Sequence, residues 1–348
     1  MHTSREYIER EMRMNVALSS YTTFHIGGPA DYFVTVENSE QLASAIDWAS
    51  MRGLPVTVLG GGSNILVSDQ GVRGLVIHIL IKGIDSKDDG DTVVIRAGAG
   101  EVFDDVVAYA VSKEWWGLEN LSSIPGYVGA TPVQNVGAYG VEVSECVISV
   151  EAYDKEQGKL RTFTNEECLF EYRDSFFKCP EGKRYVITHV TYRLSKQSLP
   201  RLEYRDLALW KDGYQGVVQI GDIRRAVQEI RAQKFPDWHK TGTAGSFFKN
   251  PIVSVEAYAQ LCSQYPELPG HPQKQGGIKI SLGWVLDRIL SLRGHRIGAV
   301  GTYERQALVM VNHGGATADE VEQYARDIQK KVYDATGISI EWEVTMIA

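Results

Sequence analysis

Apolar positions recur at helical spacing in several stretches. Leu42, Ile46 and Ala49 share one face of a helix expected over 39–53, with Ser39 able to cap it and Gly53 and Pro55 able to stop it. A second helix is expected over 102–113. A third begins at Asp222, carries Ile223, Ala226, Val227 and Ile230 on one face, and ends before Pro236. Helices are also expected at 254–264 and 281–292. Thr317-Ala318-Asp319-Glu320 is a capping box, in which Thr and Glu satisfy each other's free amides. The helix behind it presents Val321, Tyr324, Ile328 and Val332 to a core, and Gly337 ends it. Short apolar runs predict strands at 56–59, 75–81, 92–97, 147–153 and 185–194, with a turn at 154–158. In the tail Ile338, Ile340, Trp342 and Val344 alternate with Ser339, Glu341 and Glu343, which predicts a strand with one polar face. Residues 195–216 break the pattern and read as an insertion or linker. No internal repeat is visible, and the mixture is α+β rather than a regular β-α-β succession.

Composition narrows the function classes. A chain of 348 residues suggests two or three domains. It is 43% hydrophobic and 23% charged, enough to bury a sizeable core. A net charge of -8 offers no basic field for nucleic acid, so no nucleic-acid partner is expected. No apolar run approaches the ~20 residues of a bilayer span, and the polar start of the chain has no signal-peptide core. Cys146, Cys168, Cys179 and Cys262 form no Cys-x-x-Cys pair; no metal site is expected, and free thiols fit a cytoplasmic location.

The 34 glycines exceed the usual share of about 7%, and many fall in two loops. Gly60-Gly61-Gly62-Ser63-Asn64 directly follows a strand. Its backbone amides can converge on a phosphate, with Ser63 and Asn64 adding donors, although a plain tight turn explains this loop alone equally well. It is neither a Walker loop nor Gly-x-Gly-x-x-Gly, so a Rossmann domain is not supported. The second loop spans 124–140, with Ile124, Pro125, Gly126, Gly129, Ala130, Gln134, Asn135, Gly137 and Ala138. Its interleaved apolar and small residues suit a dinucleotide with a ring system; a buried crossover is the alternative.

These loops, in this order, resemble the flavin-binding domain of the vanillyl-alcohol oxidase (PCMH) type. Further stretches resemble the UDP-N-acetylenolpyruvoylglucosamine reductase family: residues 21–30, 172–178 (Tyr-Arg-Asp-Ser-Phe-Phe-Lys), 245–251 (Gly-Ser-Phe-Phe-Lys-Asn-Pro) and 340–344 (Ile-Glu-Trp-Glu-Val). The resemblance implies an α+β, two-subdomain PCMH-type FAD-binding fold followed by a separate α/β substrate-binding domain. It divides the chain into an N-terminal arm (1–23), the FAD domain (24–195), an insertion loop and linker helix (196–235), the substrate domain (236–337) and a C-terminal strand carrying a catalytic Glu (338–348). It implies non-covalent FAD, NADPH as co-substrate, UDP-N-acetylglucosamine enolpyruvate as substrate, a monomer and no membrane partner. His25, the one nearby candidate for a covalent flavin link, reads as structural.

The resemblance also implies residue roles. The FAD contacts would be Gly60, Gly61, Gly62, Ser63, Asn64, the nine loop residues named above, and Arg231. Hydride addition to the vinyl methylene leaves an enolate, and three groups answer it. Arg173 can bind the carboxylate in bidentate fashion and cannot lose its charge, although beside Asp174 it would otherwise read as a surface ion pair. Glu343, its pKa raised beside the substrate carboxylate, could donate to the enolate; only the family pattern selects it over Glu341. Ser246, followed by Phe247 and Phe248, is the implied proton donor, where a turn serine would otherwise be the reading. Tyr204, Lys234, Asn250 and Gln306 match substrate-contacting positions. Two departures stand out: Thr345 occupies a position where some relatives carry arginine, and 129–131 is less glycine-rich than in many. The competing readings are a flavin oxidase of the same fold and a flavin-less UDP-sugar sensor.

Overall fold

The computed structural model describes residues 2–273 and 276–348. By their internal contacts the described residues form two compact units: 2–16, 30–61 and 72–231 in one, and 17–29, 62–71 and those from 232 to 348 in the other. Both are interrupted in sequence.

The first unit carries two sheets of different kind. In one, the strands run in the order Arg13–Ala17, Pro29–Val36, Val72–Ile79, Val56–Leu59, and Val72–Ile79 pairs in parallel with both of its neighbours Pro29–Val36 and Val56–Leu59. Val72–Ile79 is nearly all buried, as a central parallel strand requires. The helix Ser39–Ser50 joins two of these strands and buries Leu42, Ala45, Ile46, Trp48 and Ala49. Its cap is Asn38, whose side chain accepts from the Gln41 amide at 2.9 Å; Ser39 already lies inside the first turn. The second sheet is antiparallel throughout, in the order Lys159–Thr164, Val147–Asp154, Tyr185–Ser195, Thr92–Gly98, Ile84–Asp89. The predicted turn at 154–158 is tied by Asp154, which accepts from Glu156 and Gln157 amides. One continuous core runs through both sheets and includes Val34, Ile77, Phe103, Val150 and Tyr192.

The stretch read as an insertion is ordered. The helix Arg205–Asp212 packs through the buried Leu207 with Trp116, Tyr139 and the helix Ile220–Lys234.

The second unit is built on an antiparallel sheet ordered Gly242–Ser246, Gln306–Asn312, Val300–Tyr303, Arg296–Ile297. The helix Ala318–Thr336 covers its core with Val321, Tyr324, Ile328 and Val332. The predicted capping box forms: Thr317 accepts from Glu320 N, and Glu320 accepts from Thr317 N. Asp69 adds an anion there, accepting from the Ala318 and Asp319 amides at 3.0 and 3.1 Å. The helix expected over 281–292 is short: an α-turn at Leu282–Trp284 widens into a π-helical turn at Val285–Ile289. The tail also differs from expectation. Residues 338–344 alternate in burial but make a single bridge, Trp342 to Phe248; the continuous ladder is Thr345–Ile347, parallel to Ile65–Val67.

Candidate active site

In the first unit the two glycine loops meet. A Cβ on Gly61 would lie 2.9 Å from Gly126 Cα, so close approach of the two backbones is possible only without a side chain there. Nearby, a Cβ on Gly129 would lie 2.8 Å from Ala99 Cβ. Beside this contact is a cavity of about 190 Å³ lined by apolar groups, among them Val58, Ala99, Val133, Phe177 and Ile187, with Gly60, Gly129 and Ala130 at its wall. An apolar slot flanked by side-chain-free backbone has the form that an aromatic ring and its attached phosphates require, so the residues present fit a flavin dinucleotide. Val58 lies on the strand Val56–Leu59 and carries no mark in the sequence, being one apolar strand residue among others. Val186 and Ile187 also line the slot but read there only as strand residues.

The rest of the second loop is held by its own side chains. Asn135, at φ +44°, donates to Glu142 Oε2 and the Glu171 carbonyl and accepts from Ser144 N. Its amide therefore braces the loop. Ile124 and Ala138 pack against the core. Arg231 donates to the Ser123 carbonyl at 3.1 Å. Burial pulls its guanidinium below the ordinary range, against the opposing pull of Tyr139 and Asp104. Pro125 and Gln134 are half-buried in the same loop. His78 faces this region: its ring lies 6.0 Å from those of Phe33 and Tyr127, and burial, with Arg13 and Lys82 adding to it, lowers its pKa to about 4.

Arg173 belongs to the same unit. Its backbone is left-handed at φ +56°, an arrangement a non-glycine residue adopts only when surroundings impose it. The guanidinium donates to the Gly137 carbonyl at 2.8 Å and lies 5.2 Å over the Tyr172 ring; Lys178 Nζ clamps the Arg173 carbonyl at 2.7 Å. Arg173 is thus joined to the second glycine loop. Tyr204 stands at the start of the helix Arg205–Asp212, its ring edge-on to Tyr139 at 5.3 Å, and is partly exposed.

Ser246 and Glu343 belong to the second unit, on neighbouring segments. Ser246 ends the strand Gly242–Ser246 after a bulge, with Gly245 at φ +76° and its amide on Thr243 Oγ1. Such a bulge re-aims the residue that follows it. Phe247 and Phe248 are buried behind it and pack with Phe24 and Trp342. The Phe247 carbonyl accepts from Glu343 N at 2.8 Å, and Lys249 N donates to the Glu341 carbonyl at 3.0 Å. This antiparallel pairing sets Glu343 opposite the residue after Ser246. Glu343 is half-buried, whereas the Glu341 side chain is 77% exposed and paired with Lys249.

Asn64 donates to the Glu343 carbonyl at 3.1 Å. Gly62, at φ +61°, leaves no room for a Cβ, which would fall on the Tyr21 carbonyl; half-buried Ser63 follows it. Asn250 Oδ1 caps the Leu282 amide at 2.9 Å, and Gln306 lies against Gly283. Lys234 ends the helix Ile220–Lys234 and is half-buried. Thr345 is exposed at the start of the last strand, and His25 is an exposed turn residue at φ +57°. Among the described residues no cluster of acidic, His or Cys side chains could hold a metal ion, and no helix is long and apolar enough to cross a membrane. All four cysteines are free, and burial pushes the Cys146 and Cys168 thiols up to about 12.

Residues 30–164 match the family described as FAD binding domain, and residues 237–347 match the UDP-N-acetylenolpyruvoylglucosamine reductase C-terminal domain. A Bdellovibrio bacteriovorus UDP-N-acetylenolpyruvoylglucosamine reductase is 42% identical over 327 residues, covering 94% of this chain and 96% of the relative. The Escherichia coli K12 enzyme of that name is 39% identical over 334 residues, covering 96% of each. Among solved structures, the Thermus caldophilus UDP-N-acetylenolpyruvylglucosamine reductase superposes with a TM-score of 0.69 at 27% identity, covering 97% of this chain and all of that one.

Proposed function

The chain belongs to the UDP-N-acetylenolpyruvoylglucosamine reductase family, and from that membership we infer that it reduces the enolpyruvyl group of UDP-N-acetylglucosamine enolpyruvate with NADPH, giving UDP-N-acetylmuramate for peptidoglycan synthesis. FAD is its cofactor, and Gly60, Gly61, Gly126, Gly129 and Ala130 would hold it at the apolar slot, with Arg231 bonded to the start of the second loop at the Ser123 carbonyl. When bound, FAD supplies two-electron chemistry, taking hydride from NADPH and giving it to the vinyl methylene.

The protein's own groups manage the charge that results. Hydride at the methylene places negative charge on the α-carbon, delocalised into the adjacent carboxylate. Arg173, permanently cationic and presenting a planar fork, binds that carboxylate in both ground state and enolate. Glu343, in its protonated form, donates to the enolate oxygen as charge builds there, an interaction stronger in the transition state than before it. Ser246 then hands its hydroxyl proton to the α-carbon, and solvent restores it. Tyr204, Lys234, Asn250 and Gln306 bind the UDP-sugar. Lys234 and Lys249 offer charge to its diphosphate.

The observation that carries this reading is the pairing of Phe247 with Glu343, which supports a hydroxyl and a carboxyl acting on one substrate. The test is anaerobic mixing of photoreduced protein with the enolpyruvyl UDP-sugar. Rapid flavin reoxidation with formation of the muramate is expected; a flavin that stays reduced would refute the reading. We further propose a cytoplasmic monomer, for which sedimentation should give the mass of one chain.

A further inference from the structure

We propose that Asn64 is a positioning residue for Glu343. The proposal rests on the reading of Glu343 as a catalytic acid. An asparagine at the end of a Gly-Gly-Gly-Ser loop is expected to present its amide to a phosphate. Here Nδ2 donates to the main-chain carbonyl of Glu343 at 3.1 Å, while the Asn64 carbonyl accepts from Thr345 N at 3.1 Å. One residue thus grips the chain on both sides of Val344.

The grip matters because of what holds the other end of Glu343. Its N–H is bonded to the Phe247 carbonyl at 2.8 Å. With Asn64 on its C=O, both backbone polar groups of Glu343 are fixed, one by the residue after Ser246 and one by the glycine loop. The two peptide planes then determine where the Cα–Cβ bond points, and the carboxyl has only its own rotamers left to choose among. Beyond Asn64 the parallel ladder begins, Thr345 opposite Ile65. The ladder fixes the strand but not the peptide before it. Without Nδ2 the Glu343 carbonyl loses that bond, and the long Val344 N contact to the Phe247 carbonyl, 3.5 Å, holds the peptide more loosely, so it can tilt and carry the carboxyl off the enolate oxygen while Thr345–Ile347 stays paired. A displacement of about 1 Å in a reacting group can lower a rate by 10²-fold.

The experiment is a double-variant cycle on the flavin-loaded protein with Asn64→Asp, Glu343→Gln and both together. Asn64→Asp keeps the shape and replaces the donor by an acceptor. Stopped-flow reoxidation by the enolpyruvyl UDP-sugar should slow roughly 10–100-fold in Asn64→Asp, with the half-saturating sugar concentration little changed. The double variant should be no slower than Glu343→Gln alone, because a residue acting only through Glu343 has nothing left to position. A purely structural lesion would instead multiply the two losses, and such an outcome overturns the proposal while leaving Glu343 its role. Wild-type reoxidation in Glu343→Gln overturns the reading of Glu343, and the proposal with it. If Asn64→Asp does not retain flavin, Asn64→Ala, which adds no charge to the loop, completes the same cycle.

Discussion

The flavin cradle and the Ser246–Glu343 arrangement solve opposite construction problems. The cradle works by omission: Gly61 against Gly126, and Gly129 against Ala99, come close because no side chain intervenes. The Ser246–Glu343 arrangement works by addition. A bulge at Gly245, the Phe247 carbonyl and the Asn64 amide each contribute a bond that fixes a functional group in place. The first should fail abruptly when anything is added. The second should fail by degrees as bonds are removed, and most when the reacting group itself goes.

The largest expected effect tests the second half of that contrast. Ser246→Ala should slow reoxidation by the enolpyruvyl sugar by roughly 10²–10⁴, the usual worth of a positioned proton donor, while flavin reduction by NADPH persists. Unchanged turnover would remove Ser246 from the chemistry. The cradle is tested by Gly61→Val, whose added carbons would meet the Gly126 backbone. Purified protein should come out largely colourless, and a normal flavin content would show that the two loops can part without harm. A smaller and more discriminating pair is Glu343→Gln against Glu341→Gln. The first should slow reoxidation roughly 10²–10³-fold, whereas the second, on an exposed side chain whose ion pair is worth ~0–1 kcal/mol, should barely register. Stopped-flow rates in the reverse order would mean that the wrong carboxylate has been chosen.

The smallest effect concerns stability beside the cradle. His78 titrates near pH 6.5 when unfolded but only at about 4 when folded, because burial disfavours its charge. Between those values the unfolded chain binds the proton and the native one does not. The contribution of His78 is therefore constant above about pH 6.5 and is lost as the pH falls toward 4, with a ceiling on the order of 3 kcal/mol. Denaturant melts of His78→Phe across that window should show a flatter dependence than the parent. Parallel curves would mean that His78 charges freely in the fold.

The contrast also explains what the sequence made visible. Features closed within a few residues were legible. The Thr317–Glu320 box formed as read, and the Asp154 turn did too, since every partner is local. Asn38 rather than Ser39 caps its helix, a one-residue difference that alternation of apolar positions does not resolve. The glycine loops announced themselves by composition, but Val186 and Ile187, which help line the slot, did not, because a strand residue facing a cavity has the same pattern as one facing a core. The tail was harder still. Alternation over 338–344 records that Ile340 and Val344 are buried, yet the ladder lies at Thr345–Ile347 because its partner, Ile65–Val67, is far away in sequence. The same distance hid the bond from Asn64 to Glu343. The π-helical turn at Val285–Ile289 left no trace, since five residues are too few to distinguish its period from that of an α-helix.

The second unit recruits residues 17–29 and 62–71 from the early part of the chain, and Phe24, Leu66 and Asp69 all serve it. This has a consequence for shuffling genes among relatives. A chimera made by one crossover near residue 235 would join a tail from one parent to the Ile65–Val67 and Phe24 segments of another. Its mismatches would concentrate where Thr345 meets Ile65 and where Phe247 meets Phe24. Viable hybrids should therefore need three exchanged pieces rather than one, and recombinants that survive selection should carry all of them from the same source.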